Sequence, residues 1–196
     1  MYDYRKATPA EREAMLTMRQ DKHWPWHAPP HFDAGRDLYL LTAACYEHQA
    51  ILATETRRDE WAAALFAAVN EAGGMLRAWV VLPNHYHLVA SVSLDAFAPR
   101  IGRLHNGKST QWNREDTKPG RKVWHRFSDR RIRSQGHYFT TLNYVHGNPV
   151  HHGYADRACD WRWSSLKQYA ADVDTAVLDK WSRDYPVDQY GKGWDD

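Results

Sequence analysis

The stretch MLRAWVVLPNHYHLVASVS, from Met75 to Ser93, constrains the fold of this chain most, because two apolar runs of strand length meet across Pro83 and Asn84. Met75 to Leu82 reads as a buried strand and His85 to Ser93 as the next one. A connection that short suits antiparallel neighbours and is too short for a parallel crossover. Such a pair needs further strands at its edges. Asp37 to Tyr46, DLYLLTAACY, is an apolar run of the right length.

The helices follow from caps and breakers. TETRRDEWAAALFAAVNEAG offers Thr54 or Thr56 as an N-cap and closes at Gly73-Gly74. A second helix is expected from Leu94 to about Trp112, interrupted near Pro99 and Gly107. VWHRF, Val123 to Phe127, is a short fourth strand after the turn-rich REDTKPGR. Ser134 to Gly147 is a third helix, stopped by Gly147-Asn148-Pro149. The order strand, helix, strand, strand, helix, strand, helix predicts an α+β fold: a ferredoxin-like, four-stranded antiparallel sheet with helices packed on one face.

Three regions are expected. Residues 1–36 form an arm, with a helix from Pro9 to Gln20 followed by the proline- and tryptophan-rich HWPWHAPPHF. Residues 37–169 form the compact domain, and residues 170–196 an acidic extension. Charge separates the last two. Between Arg100 and Arg133 eleven Arg or Lys face three acids, a surplus that would attract phosphates if folded onto one face. From Ala170 onward seven Asp outnumber three basic residues, so the tail is not expected to lie along DNA. Cys45 and Cys159 form no C-x-x-C pair, and no stretch approaches 18 consecutive apolar residues. The expected protein is soluble and cytoplasmic.

His85 and His87 lie two apart on a predicted strand, so both imidazoles project from one face while Tyr86 and Leu88 project from the other. Both can therefore reach one ion. In the helix HYFTTLNYVHGNPV, Thr140, Tyr144 and Asn148 are spaced by four and share a face if the last turn persists. Tyr144 is a candidate nucleophile, and Tyr138, six residues earlier, faces roughly 120° away. Among the basic residues, Arg121, Lys122, Arg126, Arg130, Arg131 and Arg133 are the candidate contacts to a nucleic-acid backbone. Trp161 and Trp163 read as inward anchors, and His105, His125, His137, His146, His151 and His152 as mainly structural or phosphate-facing.

AWVVLPNHYHLV resembles the signature strand-turn-strand of the HUH single-stranded-DNA transposases of the IS200/IS605 type. VWHRFSDRRIRSQGHYFTTLNYVHGNPVHHGY, followed by DWRWSSLKQY, resembles more specifically the REP-associated tyrosine transposases. The resemblance spans about Asp37 to Tyr169 and implies the HUH endonuclease fold. It implies that His85 and His87 are the paired metal ligands, that Asn148 stands where the wider family carries a polar third ligand, and that Tyr144 is the catalytic tyrosine. A divalent ion, Mg2+ or Mn2+, is the implied cofactor. The implied activity is cleavage and rejoining of single-stranded DNA through a 5′-phosphotyrosine, at imperfect palindromic hairpins. A monomer is expected, with a dimer that exchanges the tyrosine helix as the alternative. The chain lacks a clear match to the glycine-threonine-tryptophan-serine element near the start of many relatives. Two rival readings share the fold: a catalytically silent protein that binds DNA repeats, and a metal nuclease that uses water.

Overall fold

The computed structural model describes residues 36–192. The expected arm, with its Pro9–Gln20 helix, lies outside the described residues. Strand β1 spans Arg36–Ala44, followed by helix α1 over Glu55–Glu71. Strands β2, Met75–Val81, and β3, His85–Ser93, are joined by the expected turn. Helix α2 covers Leu94–Glu115, strand β4 Ser128–Arg131, and helix α3 Gln135–His151. Two short helices end the chain, α4 over Leu166–Asp172 and α5 over Thr175–Asp184.

The four strands form one antiparallel sheet in the order β2-β3-β1-β4, which is the ferredoxin-like arrangement. Alternation along the two central strands divides the core into two layers. Tyr39, Leu41 and Ala43 of β1 and Tyr86, Leu88, Ala90 and Val92 of β3 point to the layer covered by α1 and α2. Leu40 of β1, Ala78 and Val80 of β2 and Val89 of β3 point the other way, against Leu142, Tyr144 and Val145 of α3. Packing on one face therefore describes α1 and α2, whereas α3 covers the opposite face. The reason is in the strands themselves: both faces of β3 are buried, so both need a cover.

Local chemistry explains the helix ends. Thr54 caps α1 by accepting a hydrogen bond from the Arg57 amide at 3.3 Å, and Gly73 ends it at φ +64°. Ser134 caps α3 by accepting from the His137 amide at 3.1 Å. Three sequence expectations shift. Pro99 does not interrupt α2, because Leu94, Phe97, Ile101, His105 and Trp112 form one buried face that holds the helix together. The fourth strand begins at Ser128: in the expected Val123–Phe127 stretch, Trp124 makes only an isolated bridge to Cys45, and Val123, Trp124 and Phe127 turn into the core. Helix α3 runs through Pro149 to His151, so Asn148 is a helical residue and not its stop.

Candidate active site

On the α3 side of the sheet, His85 and His87 are completely buried. Buried imidazoles need hydrogen-bond partners, and each has one on Nδ1. His85 Nδ1 donates to Asn84 Oδ1 at 2.8 Å. His87 Nδ1 shares a 2.7 Å hydrogen bond with Thr42 Oγ1 from its register partner on β1. The Nε2 atoms of both rings are thereby turned toward α3.

Helix α3 supplies the facing groups. The Tyr144 hydroxyl lies 3.4 Å from His87 Nε2, with ring centroids 5.0 Å apart. Asn148, one helical turn later and almost fully buried, places Oδ1 2.8 Å from His85 Nε2. The persistence of α3 through Pro149 is what keeps Tyr144 and Asn148 on one face. The structure thus brings together His85, His87, Tyr144 and Asn148.

The donor set can be tested for its fit to a metal. In the neutral tautomer that donates from Nδ1 to Asn84, His85 Nε2 presents a lone pair to the amide oxygen of Asn148. Two acceptors then face each other, while Asn148 Nδ2 is buried without a hydrogen-bond partner. Turning the amide over would let Nδ2 donate to His85 Nε2, and a cation receiving both lone pairs resolves the arrangement equally. Adjacent ligands of an octahedral ion lie about 2.9 Å apart, close to the separation observed. Among the described residues, no three His, Cys, Asp or Glu side chains gather at one point, so an amide has to serve as the third donor. Two imidazoles favour Mn2+ over Mg2+, which prefers oxygen.

A cavity of about 700 Å³ opens beside the tyrosine, lined by Tyr144, Asn148 and His152 and, from the tail, by Tyr190, Gly191 and Lys192. The tail residues escaped the sequence reading. Tyr190 packs edge-on against Tyr144 at 5.5 Å, and its hydroxyl is hydrogen-bonded to Thr141 Oγ1 at 2.6 Å and His137 Nε2 at 3.1 Å. Burial pushes its pKa up. Gly191, at φ +84°, sits so close that a Cβ would lie 2.2 Å from the Tyr144 ring. Thr42 and Asn84 were missed as well, since a hydroxyl and an amide carry no spacing signal of their own. His152 was singled out only among six histidines; its ring lies 4.8 Å from that of His85.

The basic residues divide. Arg121 is held internally, through Asp116 at 2.7 Å and Asn113 Oδ1 at 2.9 Å, and Arg131 pairs with Asp37. Arg130 is the register partner of Leu40 and so lies on the face of the site. Its charge acts on both Tyr190 and His137. Arg133 is exposed before α3, while Lys122 and Arg126 line a separate cleft with His125. Trp161 and Trp163 both point inward: Trp161 Nε1 donates to Val81 O at 3.0 Å, and Trp163 lies under the Arg58 guanidinium at 3.8 Å. Tyr138 is turned away from the site, its hydroxyl 3.3 Å from that of Tyr169. Tyr86 is packed between Trp61 and His105 on the opposite face of β3.

No family model matches the chain. It is 32% identical over 101 residues to a protein of Haemophilus influenzae named as a REP-associated tyrosine transposase, a match covering 44% of this chain and 55% of that protein. It is 27% identical over 119 residues to the REP-associated tyrosine transposase of Escherichia coli, covering 59% of this chain and 62% of the relative. The matches thus span little more than half of each relative's length. The structure resembles that of a REP-associated tyrosine transposase bound to a REP hairpin, with a TM-score of 0.59 and 21% identity over 74% of this chain and 86% of the other. In sequence the chain is thus similar to two REP-associated tyrosine transposases over part of their length, and its fold is that of the solved REP-associated tyrosine transposase.

Proposed function

We propose that this protein is a metal-dependent strand transferase that cuts and rejoins single-stranded DNA at hairpin-forming repeats through a 5′-phosphotyrosine. The observation that carries the reading is the pairing of β3 with α3: Asn148 Oδ1 lies 2.8 Å from His85 Nε2, the Tyr144 hydroxyl 3.4 Å from His87 Nε2, and the two imidazole rings 5.1 Å apart. The homologues' names and the hairpin in the related structure support the choice of substrate.

His85, His87 and Asn148 would hold the ion, Mg2+ or Mn2+, which when bound withdraws charge from a non-bridging oxygen of the scissile phosphate. Tyr144 attacks phosphorus in line with the bond to the 3′ oxygen. Its hydroxyl proton passes to solvent, the bond from phosphorus to the 3′ oxygen breaks, and that oxygen takes up a proton to leave a free 3′-hydroxyl. The fragment on the 3′ side of the cut stays on Tyr144 through its 5′ phosphate, as a phosphodiester. Because one phosphodiester replaces another, the 3′-hydroxyl of a second strand reverses the step without ATP. Arg130 and Arg133 on the approach to α3, with Lys122 and Arg126, serve the DNA backbone. Arg121 is committed to Asp116 and Asn113, and the exposed Arg131 is paired with Asp37. The proposed protein is a monomer that works in the cytoplasm.

The test is incubation of an end-labelled hairpin oligonucleotide, drawn from the sequence flanking the gene, with Mn2+ or Mg2+, followed by a denaturing protein gel. A labelled, metal-dependent protein band that disappears in Tyr144→Phe is the expected result. Cleavage that survives Tyr144→Phe would replace this reading with a nuclease using water. Binding without cleavage in either protein would replace it with a silent repeat-binding role.

A further inference from the structure

At the end of the sheet, beyond Ala44 and the His85 turn, lies a second group of aromatic and basic side chains that the metal and tyrosine do not use. Tyr46 and His125 are half-buried, with ring centroids 4.9 Å apart, and His48 lies 6.3 Å from His125. Lys122 places its ammonium 4.3 Å from the centre of the Tyr46 ring. Lys122, His125 and Arg126 also line a cleft of about 530 Å³ against α2.

This surface is held in a conformation that the fold alone does not require. Glu47 and His48 are consecutive non-glycine residues at φ +53° and +52°, in the left-handed region that L-residues avoid. The turn persists because several bonds over-determine it. Glu47 N–H donates to His125 Nε2 at 3.2 Å, Tyr46 N–H to Val123 O at 2.7 Å, and His125 N–H to Ala44 O at 2.9 Å. Strain kept in this way concentrates where a ligand is bound.

The surface is also tied to the candidate active site. Cys45 N–H donates to Asn84 O at 2.7 Å, and the Asn84 side chain holds His85. Ala44 is the register partner of His85, and Tyr46 follows two residues later, roughly 7 Å of extended chain. His85 and His87 face α3 and the cleft faces α2. A strand whose phosphate lies at the histidines therefore meets this surface by passing round the end of the sheet at Ala44, a turn that the short span from Ala44 to Tyr46 keeps within the reach of an adjoining nucleotide.

We infer that Tyr46 and His125 form a stacking subsite for an unpaired base of the DNA strand entering the active site, with Lys122 and Arg126 taking the neighbouring phosphates. The inference rests on the DNA-strand-transfer reading above. Aromatic rings beside mobile cations are the chemistry of single-strand recognition, and every base has a face to stack. The exposed Lys122 leaves the Tyr46 ring when the base arrives, since stacking a base outweighs an exposed cation–π pair, and its long stem then reaches the phosphate. Glu47 is the one acid in the turn and opposes this field, which leaves Lys122 and Arg126 to set its sign.

The full chain is titrated with two oligonucleotides of the same hairpin, one blunt and one carrying a single-stranded extension that contains 2-aminopurine. Tyr46→Leu is expected to weaken binding of the extended hairpin about tenfold, and to abolish 2-aminopurine quenching, with the blunt hairpin unaffected. Tyr46→Phe, which keeps the ring, retains both signals, so a general loss of folding is distinguished from a lost platform. Lys122→Gln should lower the salt dependence of binding by about one phosphate contact. Wild-type affinity and quenching in Tyr46→Leu would overturn this inference alone, as would an equal loss on the blunt hairpin. If the wild-type protein binds neither oligonucleotide, the strand-transfer reading falls with it.

Discussion

Which nitrogen each histidine offers is decided by two residues outside the histidine pair. Thr42 reaches His87 Nδ1 across the β1–β3 pairing, and Asn84 reaches His85 Nδ1 from the turn. Fixing Nδ1 turns Nε2 toward α3 and sets the ring planes, and such supporting bonds contribute strongly to metal affinity. Thr42→Val keeps the side-chain shape and removes the bond. The expected outcome is a loss of Mn2+ affinity of about 10-fold or more by calorimetry, with circular dichroism unchanged. Equal affinity in the variant would mean that Thr42 does not orient the ligand.

Among the elements, β3 and the α1 cap were legible because each rests on a local rule: an apolar run of strand length after a Pro-Asn turn for β3, and a threonine oxygen facing an amide for α1. The shared face of His85 and His87 was legible because side chains two apart on a strand point the same way. The course of α3 beyond Gly147 was not, because Pro149 signals a stop in sequence, while burial of Tyr144, Val145 and Asn148 against the sheet carries the helix onward. β4 was displaced for a similar reason, since apolar Val123, Trp124 and Phe127 read as a strand but serve as core plugs. The contact of the tail with Tyr144 is least local of all: 46 positions separate Tyr144 from Tyr190, and net acidity said nothing of one tyrosine and one glycine within the tail. Gly191 gives that contact a direct test. Adding a Cβ at φ +84° and 2.2 Å from the Tyr144 ring forces the tail or the ring to move. Gly191→Ala should speed amide hydrogen exchange across residues 186–192 while leaving β1 and β3 protected. Unchanged exchange in that segment would show that the tail accommodates the methyl group without leaving Tyr144.

For the molecule as a whole, the buried histidines that take no part in the proposed chemistry set the response to acid. Burial lowers the pKa of His105 to about 3, where it lies within a box of Trp61, Trp124 and Tyr86. Burial lowers that of His146, hydrogen-bonded to Ser165, to about 4. His137 is also lowered, by burial first and then by the charges of Arg133 and Arg130. All three stay neutral in the folded protein at a pH where the unfolded chain, with imidazoles near 6.5, has begun to bind protons. More protons on the unfolded state means that stability falls as pH falls. For His105 and His146 the contribution is therefore intact above about pH 6.5 and declines between there and the folded values, by about 1.4 kcal/mol per pH unit for each fully affected group, while the half-exposed His137 acts in the same direction with a smaller, solvent-screened effect. Asp116 acts in a lower window. Arg57, with Arg121, holds its carboxyl at about 2, so its contribution is kept above the ordinary carboxylate range and lost only in stronger acid. Between pH 6 and 4 the slope should belong mainly to the histidines. His146→Gln retains a partner for Ser165 without an imidazole, and should flatten denaturant-derived stability against pH by about 1.4 kcal/mol per unit in that window. An unchanged slope would mean that His146 is protonated in the folded protein, and that its burial is relieved by water that reaches Ser165.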